Sequence, residues 1–116
     1  NIASIYGLVA GDMRIYSSND RRTPEIYGAS KSGIINATKY LAAYMAPYNI
    51  RVNSISPGGV FNNQDSSFIE KYSNKVPLKR MAKASELKST LRYLVSEDSS
   101  YVTGANIIVD GGLTSW

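Results

Sequence analysis

Two side chains with complementary proton chemistry, Tyr27 and Lys31, stand four residues apart. On a helix this spacing places both side chains on one face, within reach of a shared ligand. A phenol alone is a poor acid or base at neutral pH, but a neighbouring ammonium group favours its ionised form. A tyrosine paired in this way can exchange a proton with an alcohol oxygen while hydride moves at the adjacent carbon.

Composition excludes several other chemistries. The 116 residues contain no cysteine and no histidine. Disulfides, thiolate nucleophiles, Ser-His-Asp hydrolysis and metal sites built on histidine or cysteine are therefore excluded, and we predict no metal site. Acid–base chemistry in this chain must use tyrosine, lysine, aspartate or glutamate.

The pair needs support, because a tyrosine and a lysine at this spacing also occur on ordinary surface helices. Ser4 provides it: this serine lies just past a predicted strand, where the loops of parallel sheets present catalytic groups. Ser17 and Ser18 are weaker rivals for the serine role, since they lie in a polar loop. Ser4, Tyr27 and Lys31 are thus the candidate catalytic residues, and an ordinary surface helix is the alternative.

Hydrophobic periodicity places these residues on alternating strands and helices. We predict strands at residues 1–5, 50–56 and 107–109, and helices at 26–46, 66–73 and 84–95. This order fits an α/β fold in which parallel strands are joined by right-handed crossovers. Three strands fill only part of a doubly wound sheet, and no Gly-x-Gly-x-x-Gly motif occurs. Residues 1–116 are therefore predicted to be one partial domain cut from a longer chain.

The bulk properties predict a soluble, cytoplasmic protein without nucleic-acid or membrane partners. The basic residues behind the net charge of +4 are dispersed, and their densest group, at 79–83, fits a solvated loop and helix start. No apolar run is long enough to cross a bilayer, and the first residues lack the regions of a secretory signal.

Five segments in order resemble consecutive signatures of the short-chain dehydrogenase/reductase family. They are NIAS at 1–4, YGASK at 27–31, RVNSISPG at 51–58, VTG at 102–104 and VDGG at 109–112. The resemblance implies the carboxy-terminal portion of a Rossmann-like doubly wound parallel sheet, without the amino-terminal dinucleotide-binding half. It further implies an NAD- or NADP-dependent oxidoreductase that interconverts a secondary alcohol and a ketone.

The resemblance also implies a role for each candidate. Ser4 would orient and polarise the substrate oxygen, Tyr27 would exchange the proton, and Lys31 would favour the ionised phenol and bind the nicotinamide ribose. Tyr27, Lys31, Pro57, Gly58 and the backbone of Val60 would contact the cofactor. Ser4, Gly59, Phe61 and Asn62 would contact the substrate.

Residues 11–25, 57–64 and 106–112 resemble a bacterial branch of the family linked to surface-polysaccharide and flagellin-glycan sugar synthesis. Asn62, Asn63, Gln64 and Asp65, beside Phe61, Phe68 and Tyr72, form a mixture of polar and aromatic groups suited to sugars. A mobile lid with a polar surface is the alternative interpretation of this segment.

A further stripe of tyrosines, Tyr40, Tyr44 and Tyr48, recurs at four-residue spacing. It indicates core packing or a helix–helix contact between subunits, and the resemblance favours a homodimer or homotetramer. Two alternative functions stay open: a non-catalytic scaffold or inactive fragment, and a sugar-nucleotide epimerase or dehydratase. The Asp110-Gly111-Gly112 ending disfavours the second, since it is typical of the simpler reductases.

Overall fold

The computed structural model describes residues 1–17 and 22–116. Its helices are α1 (Glu25–Met45), α2 (Ser66–Lys75) and α3 (Ala84–Val95), and its strands are β1 (Ser54–Pro57) and β2 (Asn106–Val109). Short 3₁₀ helices at Ile5–Gly7 and Met13–Ile15 precede α1. The predicted α/β class is confirmed.

All pairing in the sheet is parallel. In the β1–β2 pair, Ser54 lies opposite Asn106. On the other side of β1, Ile55 forms a single parallel bridge with Ile2, where the Ala3 amide donates to the Ile55 carbonyl at 2.8 Å. The amino-terminal segment, β1 and β2 therefore run side by side in the same direction, and their carboxyl ends meet at one edge of the sheet. Ser4 follows the amino-terminal segment at this edge.

The prediction of a regular strand at residues 1–5 is wrong, because the pairing is confined to that bridge. Ser4 is still extended, with φ −167° and ψ 156°, but its side chain accepts a hydrogen bond from the Tyr6 amide and caps the 3₁₀ helix Ile5–Gly7. The capped turn ends the extended segment after Ser4.

The predicted strand at 50–56 is also too long, since β1 begins only at Ser54. The residues before it are held by side-chain bonds and by one backbone bond, from the Gly104 amide to the Val52 carbonyl at 2.7 Å, and not by a regular ladder. The Arg51 guanidinium donates to the carbonyls of Val102 and Leu94, at 3.1 and 3.0 Å, and the Asn53 amide donates to Val102 at 2.8 Å. The bonds to Val102 satisfy a backbone carbonyl group of the loop at 102–105, which leads into β2 at Asn106.

The three predicted helices are confirmed, with small changes at their ends. α1 starts one residue early and is followed by a 3₁₀ turn containing Pro47, and Asn49, at φ 58°, ends the helical segment. α2 runs two residues past its predicted end, after the Asp65 carboxylate caps its first turn. α3 has the predicted bounds. No helix in the described ranges has both the length and the apolar character needed to cross a bilayer.

The core cluster next to the carboxyl edge of the sheet consists of Ile15, Tyr72, Val76 and Met81. The tyrosine stripe of α1 is outside every core: Tyr40 is 68% exposed and Tyr44 is 58% exposed, with their rings stacked 6.0 Å apart. Core packing of this stripe is therefore excluded in this chain, and the subunit contact stays a prediction.

Candidate functional site

A close backbone approach fixes the turn after Ser4 against α1. A Cβ atom added at Gly7 would lie 2.7 Å from the Lys31 carbonyl carbon, and one added at Gly28 would lie 2.9 Å from the Tyr6 carbonyl oxygen. Real side chains do not tolerate such contacts with backbone atoms. The two glycines therefore allow the turn to lie directly on the first turns of α1.

This approach brings the three catalytic candidates to one place. Ser4 is buried and Tyr27 is about one-third exposed, and both line the same cleft. The Lys31 ammonium lies 5.4 Å from the centre of the Tyr27 ring and donates to the Ile2 carbonyl at 3.1 Å. Lys31 stands behind Tyr27, outside the described lining of the cleft.

The cleft has a volume of about 480 Å³ and opens at the carboxyl edge of the sheet. Its described lining contains no side chain of aspartate, glutamate, lysine or arginine. Six of the lining side chains carry a hydroxyl group: Ser4, Tyr6, Tyr16, Thr23, Tyr27 and Tyr72. The site is therefore rich in neutral hydrogen-bonding groups, which suits an uncharged polar ligand.

Aromatic rings form two walls of the cleft. On one side the Tyr6 and Tyr27 rings meet edge to face, 6.5 Å apart with an interplanar angle of 82°. On the other side Phe68 of α2 lies between Tyr16, at 5.7 Å, and Tyr72, at 6.0 Å. Such contacts restrain the rings and fix the shape of the cleft.

Two of these phenols are held in the neutral form. Burial raises the pKa of Tyr6, and the nearby phenols of Tyr16 and Tyr72 raise it further. Burial also raises the pKa of Tyr72, although a hydrogen bond from the Gly59 amide opposes the change. Both side chains therefore act as uncharged hydrogen-bonding groups at physiological pH.

The turn after β1 is packed tightly at the cleft. The Gly58 amide donates to the Val109 carbonyl at 2.9 Å, and the Gly59 amide donates to the Tyr72 hydroxyl. A Cβ atom at Gly59 would lie 2.6 Å from the Tyr72 ring. Gly58 and Gly59 line the cleft, whereas Pro57 and Val60, on either side of them, are outside the described lining. Cofactor contacts of Pro57 and Val60 stay predictions.

The predicted substrate loop is only partly at the cleft. Gln64 lines the cleft. The Gln64 side chain accepts a hydrogen bond from the backbone amide of Asn62 at 2.7 Å and donates one to the Val60 carbonyl at 2.8 Å. Phe61 is half exposed, and the described lining includes neither Phe61 nor Asn62. Their predicted substrate contacts stay predictions.

Of the two rival serines, Ser17 is outside the described lining of the cleft, and Ser18 lies outside the part of the chain that the structure describes. Sequence reasoning missed Tyr6, Tyr16 and Thr23 as lining residues. The only signal for Tyr6 was its position two residues after Ser4, and the loop at 11–25 has no periodicity that could indicate which side chains face inward.

Comparison with known proteins identifies relatives over nearly the whole chain. A family model described as enoyl-(acyl carrier protein) reductase matches residues 14–114. The chain is 37% identical to NADH-dependent L-xylulose reductase of Ambrosiozyma monospora, over 94% of the chain and 43% of that protein. It is 35% identical to post-translational flagellin modification protein A of Campylobacter coli, over 97% of the chain and 44% of that protein. The second relative agrees with the resemblance to the flagellin-glycan branch.

Solved structures give the same result. A short chain dehydrogenase of Leptospira borgpetersenii with bound NAD+ matches with a TM-score of 0.92 and 54% identity, over 98% of this chain and 43% of that one. 4-Hydroxyisoleucine dehydrogenase complexed with NADH matches with a TM-score of 0.84 and 31% identity, over all of this chain and 46% of that one. The chain thus spans less than half of these relatives, and its predicted Rossmann-like sheet is confirmed. By sequence and by fold, it belongs to the short-chain dehydrogenase/reductase family.

Proposed function

We propose that this chain carries the proton-transfer site of an NAD(H)-dependent oxidoreductase that interconverts a secondary alcohol and a ketone. The observation that supports the proposal is the placement of Ser4 and Tyr27 in one cleft, with the Lys31 ammonium 5.4 Å from the Tyr27 ring. These are the groups that acid–base exchange at an alcohol oxygen requires. Among the relatives, NADH appears in the names of the xylulose reductase and of the 4-hydroxyisoleucine dehydrogenase complex.

The donor set at the cleft fits the nicotinamide end of the cofactor. An ammonium has three protons to donate; Lys31 gives one to the Ile2 carbonyl and can offer others to ribose hydroxyls. Gly58 and Gly59 present a wall without side chains, against which a flat ring can lie. When bound, the nicotinamide supplies or takes up the hydride.

The protein side of the reaction then follows from three groups. The Ser4 hydroxyl accepts from the Tyr6 amide at 3.2 Å, so its own proton can be donated to the substrate oxygen and polarise the carbonyl. The Tyr27 hydroxyl gives its proton to that oxygen during reduction and takes it back during oxidation. The Lys31 ammonium stabilises the negative charge that develops on the phenol oxygen.

Sugars and sugar alcohols are the substrate class that we propose for this cleft. Two curated relatives support it by name, the L-xylulose reductase and a D-arabinitol 2-dehydrogenase of Scheffersomyces stipitis, which is 38% identical over 94% of the chain. The hydroxyl-rich, uncharged lining supports it as well, because neutral polyols are bound by hydroxyl and amide groups rather than by ion pairs.

Replacing the proton donor tests the function. In the intact protein, Tyr27→Phe keeps the ring contact with Tyr6 but removes the exchangeable proton, so kcat/KM for ketone reduction should fall about a hundredfold to ten-thousandfold. Binding of NADH, followed by its fluorescence, should persist. Tyr101→Phe is the matched control, since Tyr101 is fully exposed. Turnover by the Tyr27 variant at the level of the control would refute the proposal.

A further inference from the structure

One pair of hydroxyl groups in the cleft has no role in proton transfer. The Tyr16 and Thr23 hydroxyls are hydrogen-bonded at 2.6 Å, and either atom can be the donor. Both side chains are half-buried and line the same cleft as Ser4 and Tyr27. The pair therefore faces the space in which the reacting oxygen would lie.

Both members of the pair are held in place by the fold. Tyr16 follows the 3₁₀ helix Met13–Ile15, whose last residue is buried in the core cluster, and the Tyr16 ring packs on Phe68 of α2 at 5.7 Å. Thr23 directly precedes Pro24, the N-cap of α1, and the Tyr27 amide donates to the Pro24 carbonyl at 3.0 Å. The hydroxyl pair is thus fixed relative to the helix that carries Tyr27.

The hydrogen-bonding capacity of the pair exceeds what its internal bond uses. Two hydroxyls offer two protons and four lone pairs; their mutual bond uses one of each, and a further hydrogen bond joins the Tyr16 and Tyr6 hydroxyls. The groups that are left can bind a substrate hydroxyl, which is itself both donor and acceptor. A carboxylate or phosphate group would lose its hydration on entering the cleft, and the described lining has no cationic side chain to compensate for that loss.

We propose that the Tyr16–Thr23 hydroxyl pair is a specificity-determining element that binds a hydroxyl group on the carbon next to the reacting one. The substrate class is accordingly a neutral α-hydroxy ketone or the corresponding diol, and not a keto acid. The inference rests on the proposed function for the identity of the reacting carbon. It adds Tyr16 and Thr23, in the loop before α1, to the residues proposed to contact the substrate.

Two ketones with the same carbon skeleton test the pair. Acetoin carries a hydroxyl next to its carbonyl and butanone does not. In the intact protein with NADH, kcat/KM should be at least about tenfold higher for acetoin, the ratio that one hydrogen bond of about 1.4 kcal/mol provides. Tyr16→Phe and Thr23→Val should each reduce the acetoin-to-butanone ratio about tenfold. Tyr101→Phe and Thr90→Val, outside the described lining, should retain the ratio of the parent.

An equal ratio in the parent and both cleft variants would overturn the inference. Acetoacetate gives a measurement that needs no variant: its kcat/KM should be well below that of acetoin, and a value above it would overturn the exclusion of keto acids. If neither these ketones nor a ketose such as xylulose is reduced, the proposed function fails on its own. The affinity for xylitol, measured by calorimetry, then decides the inference. A weaker affinity in Thr23→Val than in the parent supports the hydroxyl pair, and an equal affinity rejects it.

Discussion

Each of the three catalytic candidates has a side chain that contacts a neighbouring element. The Ser4 hydroxyl accepts from the Tyr6 amide, the Lys31 ammonium donates to the Ile2 carbonyl, and the Tyr27 ring meets the Tyr6 ring edge to face. These contacts restrain where the side chains can point before any ligand is bound. Preorganisation of this kind lowers the cost of aligning groups in the transition state.

At the residue scale, Asp110 should give stability that depends on pH. Burial raises the pKa of its carboxyl, but hydrogen bonds from Thr114 and Gly112 outweigh burial and lower it below the ordinary value of 3.8. Because the folded pKa lies below the unfolded one, the stabilisation is present above about pH 4 and is lost as the pH falls through the folded pKa. Asp110→Asn should lower the free energy of unfolding by about 1 kcal/mol at pH 7.

Urea denaturation at a series of pH values measures this effect. The difference between parent and Asp110→Asn should shrink below about pH 4, where the parent carboxylate becomes protonated. Asp98→Asn, which neutralises an exposed carboxylate, is the control and should change the stability little at any pH. A difference between parent and Asp110→Asn that stays constant down to pH 2 would contradict the assignment.

Side chains on a regular element were predictable from the sequence and those in the loop were not. Tyr27 and Lys31 share a helix face because four residues make one turn, whatever the rest of the fold does. Tyr16 and Thr23 come together across a loop, and their meeting depends on the contact of Tyr16 with Phe68 of α2. No local pattern reports such a tertiary contact.

At the element scale, the site depends on how closely the turn Ile5–Gly7 approaches α1. Ser32 of α1 donates to the Gly7 carbonyl at 2.8 Å, beside the two positions where only glycine fits. The helix and the turn thus share a hydrogen bond as well as a backbone contact. Any side chain between them would move the turn that follows Ser4 away from Tyr27.

Two glycines of the same helix make a matched test. Gly28→Ala places a Cβ atom 2.9 Å from the Tyr6 carbonyl oxygen, and overpacking should lower the free energy of unfolding by about 1–3 kcal/mol and reduce turnover. In Gly33→Ala, the added Cβ atom has no other atom within 4 Å. This change should raise the free energy of unfolding by about 0.5–1 kcal/mol, because alanine is the better helix former. Thermal unfolding and steady-state assays of the intact protein measure both. Effects of the same sign would contradict this interpretation of the glycines.

The helices were better predicted than the strands, and the reason is physical. The apolar spacing and caps that define a helix lie within the helix itself, as for Asp65 at the start of α2. A strand is defined by its partner: before Ser54 the chain meets the loop at 102–105 through the Asn53 side chain and a single Gly104–Val52 backbone bond, and the regular ladder starts only at Ser54. The sequence therefore predicted where extended chain occurs but not where the ladder begins.

At the scale of the whole molecule, the exposed rings of Tyr40 and Tyr44 favour a contact between subunits. Both are more than half exposed, and their rings stack with centroids 6.0 Å apart and an angle of 10° between the ring planes. Large amphipathic rings of this kind are enriched in the centres of protein interfaces. The stripe is therefore the part of the described surface on which we expect a second copy to pack.

A charge at this surface should dissociate the oligomer. Tyr44→Arg in the intact protein would bury an unpaired cation if the copies met there, so sedimentation velocity should show a shift from the dimer or tetramer towards smaller species. Tyr101→Arg, at a fully exposed position outside the stripe, should sediment like the parent. An unchanged distribution for Tyr44→Arg would place the contact elsewhere.

Tyr72 links α2 to the turn that follows β1. Its phenol, carried by α2, is buried, borders the cleft and accepts a hydrogen bond from the Gly59 amide of the turn proposed for the nicotinamide. A ligand that shifts α2 must therefore carry the amide with it, and a ligand that pins the turn must restrain the helix. Because linkage is reciprocal, each of the two binding partners would change the affinity for the other by the same factor.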